Sequence, residues 1–200
     1  FSIQMQSMFD ARQPGLPHFL YTDHTHLANL RYPGFEARNL YSPAWIALEK
    51  TTYHNAAFNF TRSHNISRSM IEQYDCPADK VACVYAGTNI RQFTGPVNHL
   101  KCASKNILLV GMDWERKGGP TLAAAFRIVL EAHPDAHLTI VGCAPRLDLP
   151  NCRIVGRLPL EAVAAHYEQA AVFCLPTTLE PFGIVFVEAM MHRLPIAAPD

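Results

Sequence analysis

Two glutamates, Glu180 and Glu188, stand eight positions apart in the segment LEPFGIVFVEAM, residues 179–190. Glu180 opens a turn with Pro181 and Gly183, whereas Glu188 stands inside the apolar run IVFVEAMM. Since a buried carboxylate without a partner is costly, Glu188 needs another side chain, a backbone group or a ligand beside it. The pattern alone leaves these three possibilities open.

A second segment, VGMDWERKGG at residues 110–119, places Arg116 and Lys117 in a glycine-rich loop that opens a predicted helix. Cations beside the N-terminus of a helix form an anion site that suits phosphates. The loop glycines, Gly118 among them, allow unusual backbone dihedrals and close backbone approach. The spacing is neither that of a P-loop nor GxGxxG, and a basic surface turn is the alternative interpretation.

The spacing in the glutamate segment fits a nucleoside diphosphate. Gly183 lies near the predicted start of a helix, where N–H groups of the first turn can meet a phosphate. Glu188 follows at a distance of about 7–8 Å along the axis, at about 1.5 Å per residue, which matches the reach from a diphosphate to a ribose. A carboxylate can accept two hydrogen bonds from the ribose diol. Glu180 would repel a phosphate and therefore suits the hydroxyls of a transferred sugar. Alternatively, Glu180 caps the helix and Glu188 pairs with Arg or His in the core.

A histidine-bearing loop, YTDHTHLANL at residues 21–30, follows a predicted strand and contains Asp23, His24 and His26. Three interpretations stay open: an active-site loop, an ordinary polar loop, and a metal-binding pair. The metal interpretation lacks a third ligand in the sequence. His166 and His192 fall on predicted helices and are interpreted as structural.

The elements that must position these residues alternate between strands and helices. In the first half the patterns predict strands at 18–22, 58–61 and 80–87 and helices at 42–57 and 63–74, with Ser42 and Ser63 as N-caps. In the second half they predict strands at 106–111, 137–142, 152–156, 172–176 and 195–199 and helices at 119–134, 160–170 and 183–193. The segment 183–193 is β-branched, but we predict a helix because a crossover must separate parallel strands.

Continuous apolar strands separated by helices predict an α/β fold with parallel sheets covered on both faces. The second half is predicted to be a Rossmann-like doubly wound unit, and the first half the tail of another. Residues 88–105 lose periodicity around Gly95-Pro96, and the linker is predicted at 94–105. The predicted domains are therefore 1–93 and 106–200. Because the chain begins at Phe1 and stops after a strand, we expect it to be a piece of a longer protein with both domains incomplete.

Composition excludes several classes of protein. Of 200 residues, 49% are hydrophobic and 17% charged, which is typical of a globular chain. Lys+Arg and Asp+Glu both number 17, so charge gives no argument for a nucleic-acid partner. No apolar run approaches the roughly 18–20 residues of a membrane span. Six scattered cysteines without CxxC are interpreted as reduced thiols of a cytoplasmic protein.

The segment EPFGIVFVEAM resembles the E-x7-E signature of retaining GT-B glycosyltransferases, the group 1 or family 4 class. VGMDWERKGG resembles the phosphate site of that class, and VYAGTNIRQF at 84–93 resembles the segment leading into its interdomain linker. ISRSMIEQYDCPADKVACVYAG resembles the stretch just before it. The resemblance covers most of residues 40–200.

This resemblance implies transfer of a sugar from a UDP- or GDP-sugar with retention of anomeric configuration and without a metal or other cofactor. It implies that the second domain binds the donor and the first binds a glycan, lipid or small-molecule acceptor; peripheral membrane association stays open. By position, Glu188 would bind the ribose and Glu180 the donor sugar. The resemblance implies further donor contacts in two groups. The sugar and phosphate would be lined by Phe182, Gly183 and Ile184, and the diphosphate would be bound by Arg116, Lys117 and Gly118.

Two further points follow from the resemblance. Many members carry Arg directly after the first loop glycine, where this chain has Met112, so we expect Arg116 to take that role. Members often place a His of the first domain against the donor sugar, and His24 is the nearest match. A non-catalytic nucleotide-sugar-binding or scaffolding protein is the alternative, and a sugar-nucleotide epimerase of the same fold is a third, for which the second domain lacks a histidine constellation.

Overall fold

The structure is a computed structural model that describes residues 1–90 and 99–199. The chain divides into two compact units, Phe1–Ala86 and Gly87–Asp200. The predicted linker at 94–105 lies partly outside the described residues, and its described end belongs to a short 3-10 helix at His99–Ser104. All six cysteines are free thiols, as the sequence analysis expects.

The first unit is a parallel four-stranded sheet with two α-helices. Its elements are β1 (Ser2–Met5), β2 (His18–Thr22), α1 (Pro43–Asn55), β3 (Phe58–Thr61), α2 (His64–Tyr74) and β4 (Val81–Cys83), in the sheet order β1-β2-β3-β4. Short 3-10 helices at His26–Arg31, Ala37–Asn39 and Ala78–Lys80 connect them. The predicted serine caps are confirmed: the Ser42 hydroxyl accepts from the Trp45 N–H, and that of Ser63 from the Ile66 N–H.

One local expectation for the first unit is wrong, and two features of this unit are not predicted. Strand β4 ends earlier than predicted, and Tyr85, with φ of 58°, lies beyond its end. The buried face of α1 carries Glu49, Thr52 and Tyr53, whereas Leu48 is 41% exposed. Strand β1 is not predicted at all.

The second unit is a parallel five-stranded sheet with helices between its strands. Its elements are β5 (Asn106–Val110), α3 (Gly119–Ala132), β6 (His137–Val141), β7 (Cys152–Gly156), α4 (Leu160–Gln169), β8 (Val172–Cys174), α5 (Ile184–Met191) and β9 (Ile196–Ala197). The sheet order is β7-β6-β5-β8-β9, which is the doubly wound order. The helix predicted at 183–193 is confirmed as α5.

The strand order of the second unit reverses between β5 and β8. These two strands pair in parallel, with Ile107 opposite Val172, while β6 flanks β5 on its other side. In open α/β sheets, ligands bind beyond the carboxyl ends of the strands at such a switch point. A ligand site is therefore expected at the two loops that leave β5 and β8. The core of this unit includes Leu122 and Phe126 of α3.

Candidate functional site

The two loops with predicted chemistry leave the neighbouring strands β5 and β8 and contact each other. The loop after β5 holds Arg116 and Lys117, and the loop after β8 holds Glu180. The backbone N–H of Thr178 donates to the Arg116 carbonyl at 3.0 Å, and the Thr177 hydroxyl donates to the same carbonyl at 3.0 Å. The fold thus brings together two segments that are separated by about sixty positions in the sequence.

Gly118 lets the two loops approach closely at the start of α3. Its φ of 71° lies in the left-handed region, and a Cβ atom at this position would lie 1.7 Å from the carbonyl oxygen of Pro176. A side chain would therefore clash with the backbone of the loop after β8 and would also strain the backbone of residue 118. The glycine predicted for close approach contacts protein here.

The Arg116 side chain contacts both loops. Its Nη1 donates to the carbonyl of Leu179 at 2.8 Å, and its Nε lies 3.7 Å from a carboxylate oxygen of Asp113. The side chain is 38% exposed. A guanidinium has five N–H donors, so these contacts leave it further donors for an anion.

Lys117 and Glu180 form an ion pair at the centre of the two loops. The ammonium of Lys117 donates to Oε2 of Glu180, and the two side chains are 9% and 16% exposed. The sequence analysis assigns Lys117 to a phosphate and Glu180 to sugar hydroxyls, and it does not foresee this pair. A diphosphate at this position would compete with Glu180 for the Lys117 ammonium.

Helix α5 begins at Gly183, which has φ of 75° and ψ of 58° and offers no side-chain cap. A Cβ atom on Gly183 would lie 2.4 Å from the ring of Phe186. The neighbouring residues Phe182 and Ile184 are half-buried. Since the first N–H groups of a helix have no partner within the helix, a start without a side-chain cap suits a ligand that accepts hydrogen bonds.

Glu188 lies in the second turn of α5 and is buried, with an exposed fraction of 4%. Its Oε2 accepts from the Tyr167 hydroxyl at 3.0 Å, and the backbone N–H of Asn89 donates to its carboxyl group. Burial raises the pKa of the Glu188 carboxyl above its ordinary value, and the two hydrogen bonds oppose that rise. The alternative is a core pair of Glu188 with Arg or His. Among the described residues no Lys or Arg forms a salt bridge with Glu188, whereas His192 lies close enough to lower the pKa of its carboxyl group.

Tyr167 and Asn89 are partners of Glu188 that sequence reasoning missed. Tyr167 lies on α4 and is fully buried, and burial raises the pKa of its phenol, so it stays protonated as a donor. Asn89 lies at the beginning of the second unit. Neither residue has a spacing in the sequence that relates it to Glu188. Only the buried position of Tyr167, two turns into an amphipathic helix, signals a phenol that needs a partner.

His24 lies in the first unit, directly after β2. Its backbone is held by Thr22, whose hydroxyl donates to the His24 carbonyl at 2.7 Å. The imidazole Nδ1 is buried and has no hydrogen-bond partner in the part of the chain that the structure describes. Burial lowers the pKa of His24, and the nearby carboxylates of Glu49 and Asp23 oppose this effect. Burial therefore favours the neutral form of the His24 imidazole.

A cavity of about 430 Å³ lies beside His24 within the first unit. Its polar lining includes His26 and Glu49, and its aromatic lining includes Tyr41 and Trp45. The Nε2 of His26 accepts from the Tyr41 N–H at 2.7 Å, and the His26 ring stacks on the Tyr41 ring at 4.1 Å. His26 is thus a structural residue of the cavity wall. The sequence analysis contains no prediction of this cavity, because its walls come from four separate segments.

Two other kinds of site are absent from the residues that the structure describes. Across residues 1–90 and 99–199, no group of three or more His, Cys, Asp or Glu side chains could hold a metal ion. None of the helices formed by the described residues combines the length and apolar character of a membrane span.

Comparison with known sequences identifies the second unit. Residues 104–200 match the family model described as "Glycosyl transferases group 1". A glycosyltransferase of Haemophilus influenzae is 33% identical over 115 residues, which cover 52% of this chain and 32% of the relative. A probable transglycosylase of Burkholderia thailandensis is 27% identical over 191 residues, which cover 88% of this chain and 50% of the relative. The chain spans at most half the length of these curated relatives.

Solved structures share the fold over almost the whole chain. WaaG, a glycosyltransferase involved in lipopolysaccharide biosynthesis, superposes with a TM-score of 0.71 at 18% identity, covering 95% of this chain and 58% of that one. The Anabaena protein HepE, solved in complex with UDP, gives a TM-score of 0.66 at 16% identity, covering 91% and 53%. The predicted GT-B-like fold is confirmed. Residues 104–200 thus resemble the group 1 glycosyltransferases, and the chain has the fold of the GT-B structures.

Proposed function

We propose that the complete protein is a retaining glycosyltransferase that moves a sugar from a UDP- or GDP-sugar to a glycan, lipid or small-molecule acceptor. In this reaction the bond between the anomeric carbon and the diphosphate oxygen breaks, and the diphosphate leaves with the electron pair. The acceptor hydroxyl oxygen forms the new bond to the anomeric carbon, and its proton passes to the departing diphosphate oxygen. The anomeric configuration is retained.

The second unit supplies the donor site in this proposal. Lys117 and Arg116 stabilise the charge that develops on the leaving diphosphate. Gly118 contributes to this site by allowing the loop after β8 to lie close to the two cations. The start of α5, at Phe182, Gly183 and Ile184, lines the phosphate and sugar with backbone N–H groups. These groups act without a metal ion.

The two glutamates take the hydroxyl groups of the donor. Glu188 accepts the ribose diol, and Glu180 accepts hydroxyls of the transferred sugar. When the diphosphate replaces Glu180 as the counterion of Lys117, the Glu180 carboxylate becomes available to those hydroxyls. Until the donor binds, Lys117 and Glu180 thus serve as counterions to each other.

One observation carries the proposal: the cationic loop, the start of α5 without a side-chain cap and a buried carboxylate that pairs with no described Lys or Arg all belong to the two loops and one helix at the switch point of the second sheet. Such a combination suits a ligand that is anionic at one end and carries a diol at the other. The solved structure of HepE contains UDP, which supports a nucleoside diphosphate as that ligand.

The first unit supplies the acceptor side and His24. We infer that His24 contacts the donor sugar during transfer, which is supported by its neutral imidazole and by its unpartnered, buried Nδ1 atom. The adjoining cavity, with its aromatic walls of Tyr41 and Trp45, suits an acceptor with hydroxyl groups. The reaction takes place in the cytoplasm.

A transfer assay with UDP- and GDP-sugars tests the proposal. The complete protein is incubated with each donor and a panel of acceptors, and released UDP or GDP and the glycosylated product are both measured. We expect product with one nucleotide class, retention of configuration by NMR, and loss of product without loss of nucleotide affinity in His24→Ala. Nucleotide binding without any product would favour the binding-only alternative.

A further inference from the structure

We propose that Tyr167 is a positioning residue of the donor site: its hydroxyl holds the Glu188 carboxylate in the orientation that receives the ribose diol. This inference rests on the proposed ribose role of Glu188. Tyr167 is fully buried and lies on α4, whereas Glu188 lies on α5. Because Tyr167 has no exposed surface, it acts through Glu188 and not by touching the nucleotide.

The Tyr167 ring is fixed on several sides by aromatic neighbours. It lies 5.8 Å from the Phe173 ring and stacks at 5.3 Å on the His192 imidazole, with an angle of 22° between the planes. The Nδ1 atom of His192 lies 2.9 Å from the backbone carbonyl of Glu188, one turn earlier on the same chain segment. The hydroxyl of Tyr167 is therefore held in one place relative to the Glu188 backbone.

A fixed donor is needed because a glutamate side chain has three rotatable bonds. The hydroxyl of Tyr167 binds Oε2 at 3.0 Å, and the backbone N–H of Asn89 provides a second fixed donor. A carboxylate has about four acceptor positions, so the two protein donors leave positions for the two hydroxyls of a ribose. Preorganising the carboxylate in this way lowers the entropic cost of binding the diol.

The same hydrogen bond favours the charged form of the carboxyl group. Burial raises the pKa of Glu188, and the bond from Tyr167 opposes that rise more than the bond from Asn89 does. A protonated carboxyl would lose acceptor positions that the diol needs. Tyr167 thus supports both the orientation and the charge state of Glu188.

Titration calorimetry of the complete protein with UDP and 2′-deoxy-UDP, and with GDP and 2′-deoxy-GDP, tests this role in Tyr167→Phe. The wild-type protein is expected to prefer the ribonucleotide by about tenfold, the value of one hydrogen bond to a charged group. Tyr167→Phe is expected to lose most of that preference while binding the deoxynucleotide almost as the wild type does. A merely structural role would weaken both nucleotides equally.

Tyr53→Phe is the matched control. It removes an equally buried hydroxyl that donates at 2.7 Å to Glu49, a carboxylate of the first unit. We expect it to leave the preference for the ribonucleotide unchanged. Glu188→Gln separates this inference from the proposed function, because it alters the ribose acceptor itself.

The outcomes are distinct. If Glu188→Gln abolishes the preference and Tyr167→Phe keeps it, the positioning role is wrong and the ribose role of Glu188 stands. If neither variant changes the preference, the ribose role fails as well. Should Tyr167→Phe not fold, a crystal structure of the wild type with UDP decides: the Tyr167 hydroxyl must stay bonded to Glu188 beside the nucleotide, and a broken bond overturns the proposal.

Discussion

Glu49 in the first unit and Glu188 in the second are two buried carboxylates in closely similar settings. Each lies on a helix, each is 4% exposed, and each accepts a hydrogen bond from a fully buried tyrosine. Neither forms a salt bridge with Lys or Arg in the described parts of the chain. By burial and charge alone, the two sites are equivalent.

The two carboxylates differ in how completely the protein satisfies them. Four groups donate to Glu49: the hydroxyls of Ser7, Tyr53 and Tyr74 and the backbone N–H of His26. Glu188 has the Tyr167 hydroxyl and the Asn89 N–H. A carboxylate saturated by donors is a structural centre that ties segments together, whereas one with remaining acceptor positions can receive a ligand. Donor count, and not burial, distinguishes the two roles.

Removing the Glu49 carboxylate should have the largest effect of all. Glu49→Ala leaves four buried donors without an acceptor, and since each costs about 1–3 kcal/mol, we expect the free energy of unfolding to fall by about 3–5 kcal/mol. Urea denaturation followed by circular dichroism measures this loss. Glu49→Gln keeps an acceptor oxygen and should cost less. Equal stability of Glu49→Ala and wild type would refute the structural role.

For Glu188 we expect a small effect on the free energy of unfolding and a large effect on nucleotide affinity. Glu188→Ala deprives only two donors of their acceptor, so we expect a loss of about 1–2 kcal/mol in unfolding free energy. Nucleotide affinity should fall about ten- to a hundredfold, because a charged group loses its hydrogen bonds to the ribose. Calorimetry with UDP and GDP measures it, with Glu49→Gln as the matched variant of the other unit. An unchanged affinity in Glu188→Ala would make the two carboxylates alike.

Variants of Lys117 and Glu180 separate the binding of the diphosphate charge from the binding of the sugar hydroxyls. Lys117→Met should lower the affinity for UDP or GDP about tenfold, since an ammonium–phosphate contact is lost. Glu180→Gln removes the competitor for Lys117, so the affinity for the free nucleotide should stay equal or rise a few-fold while sugar transfer falls. Binding and transfer assays on the same preparations provide both numbers. A parallel loss of nucleotide affinity in Glu180→Gln would contradict the exchange of counterions.

The smallest effect concerns pH. The pKa of Glu188 is raised above its ordinary value of 4.5 by burial, so its contribution to stability is greatest below 4.5 and is lost as pH rises through the raised pKa. Ribose binding needs the carboxylate, so nucleotide affinity should rise over that same interval by a few-fold. Calorimetry as a function of pH measures this rise. Glu188→Gln should flatten the profile, and a profile with the same slope in that variant would assign the titration to another group.

The sequence predicted the order of elements well because most segments are locally consistent. The doubly wound pattern of the second half, the serine caps and the choice of helix for 183–193 all rest on neighbours within a few positions. Strand β1 was missed because its alternation is inverted: Gln4 is buried and hydrogen-bonded, while Ile3 and Met5 are exposed. The buried face of α1 likewise carries the polar side chains of Glu49 and Thr52.

The sequence predicts which residues belong to the candidate site, but it does not predict which of them contact each other. The spacing of Glu180 and Glu188 and the two cations of the loop 110–119 identified side chains that need a partner. The actual partners come from distant segments: Lys117 binds Glu180 across more than sixty positions, and Tyr167 reaches Glu188 from another helix. Such pairings depend on strand order, which local patterns do not determine.

A crystal structure of the complete protein with UDP or GDP bound, whichever binds in calorimetry, tests the central claim most directly. The account predicts both ribose hydroxyls within about 2.5–3.0 Å of the Glu188 carboxylate, a normal hydrogen-bond distance. It also predicts the diphosphate beside Lys117 and the start of α5. A nucleotide whose ribose lies away from Glu188, with that carboxylate still bound only to Tyr167 and Asn89, would contradict it.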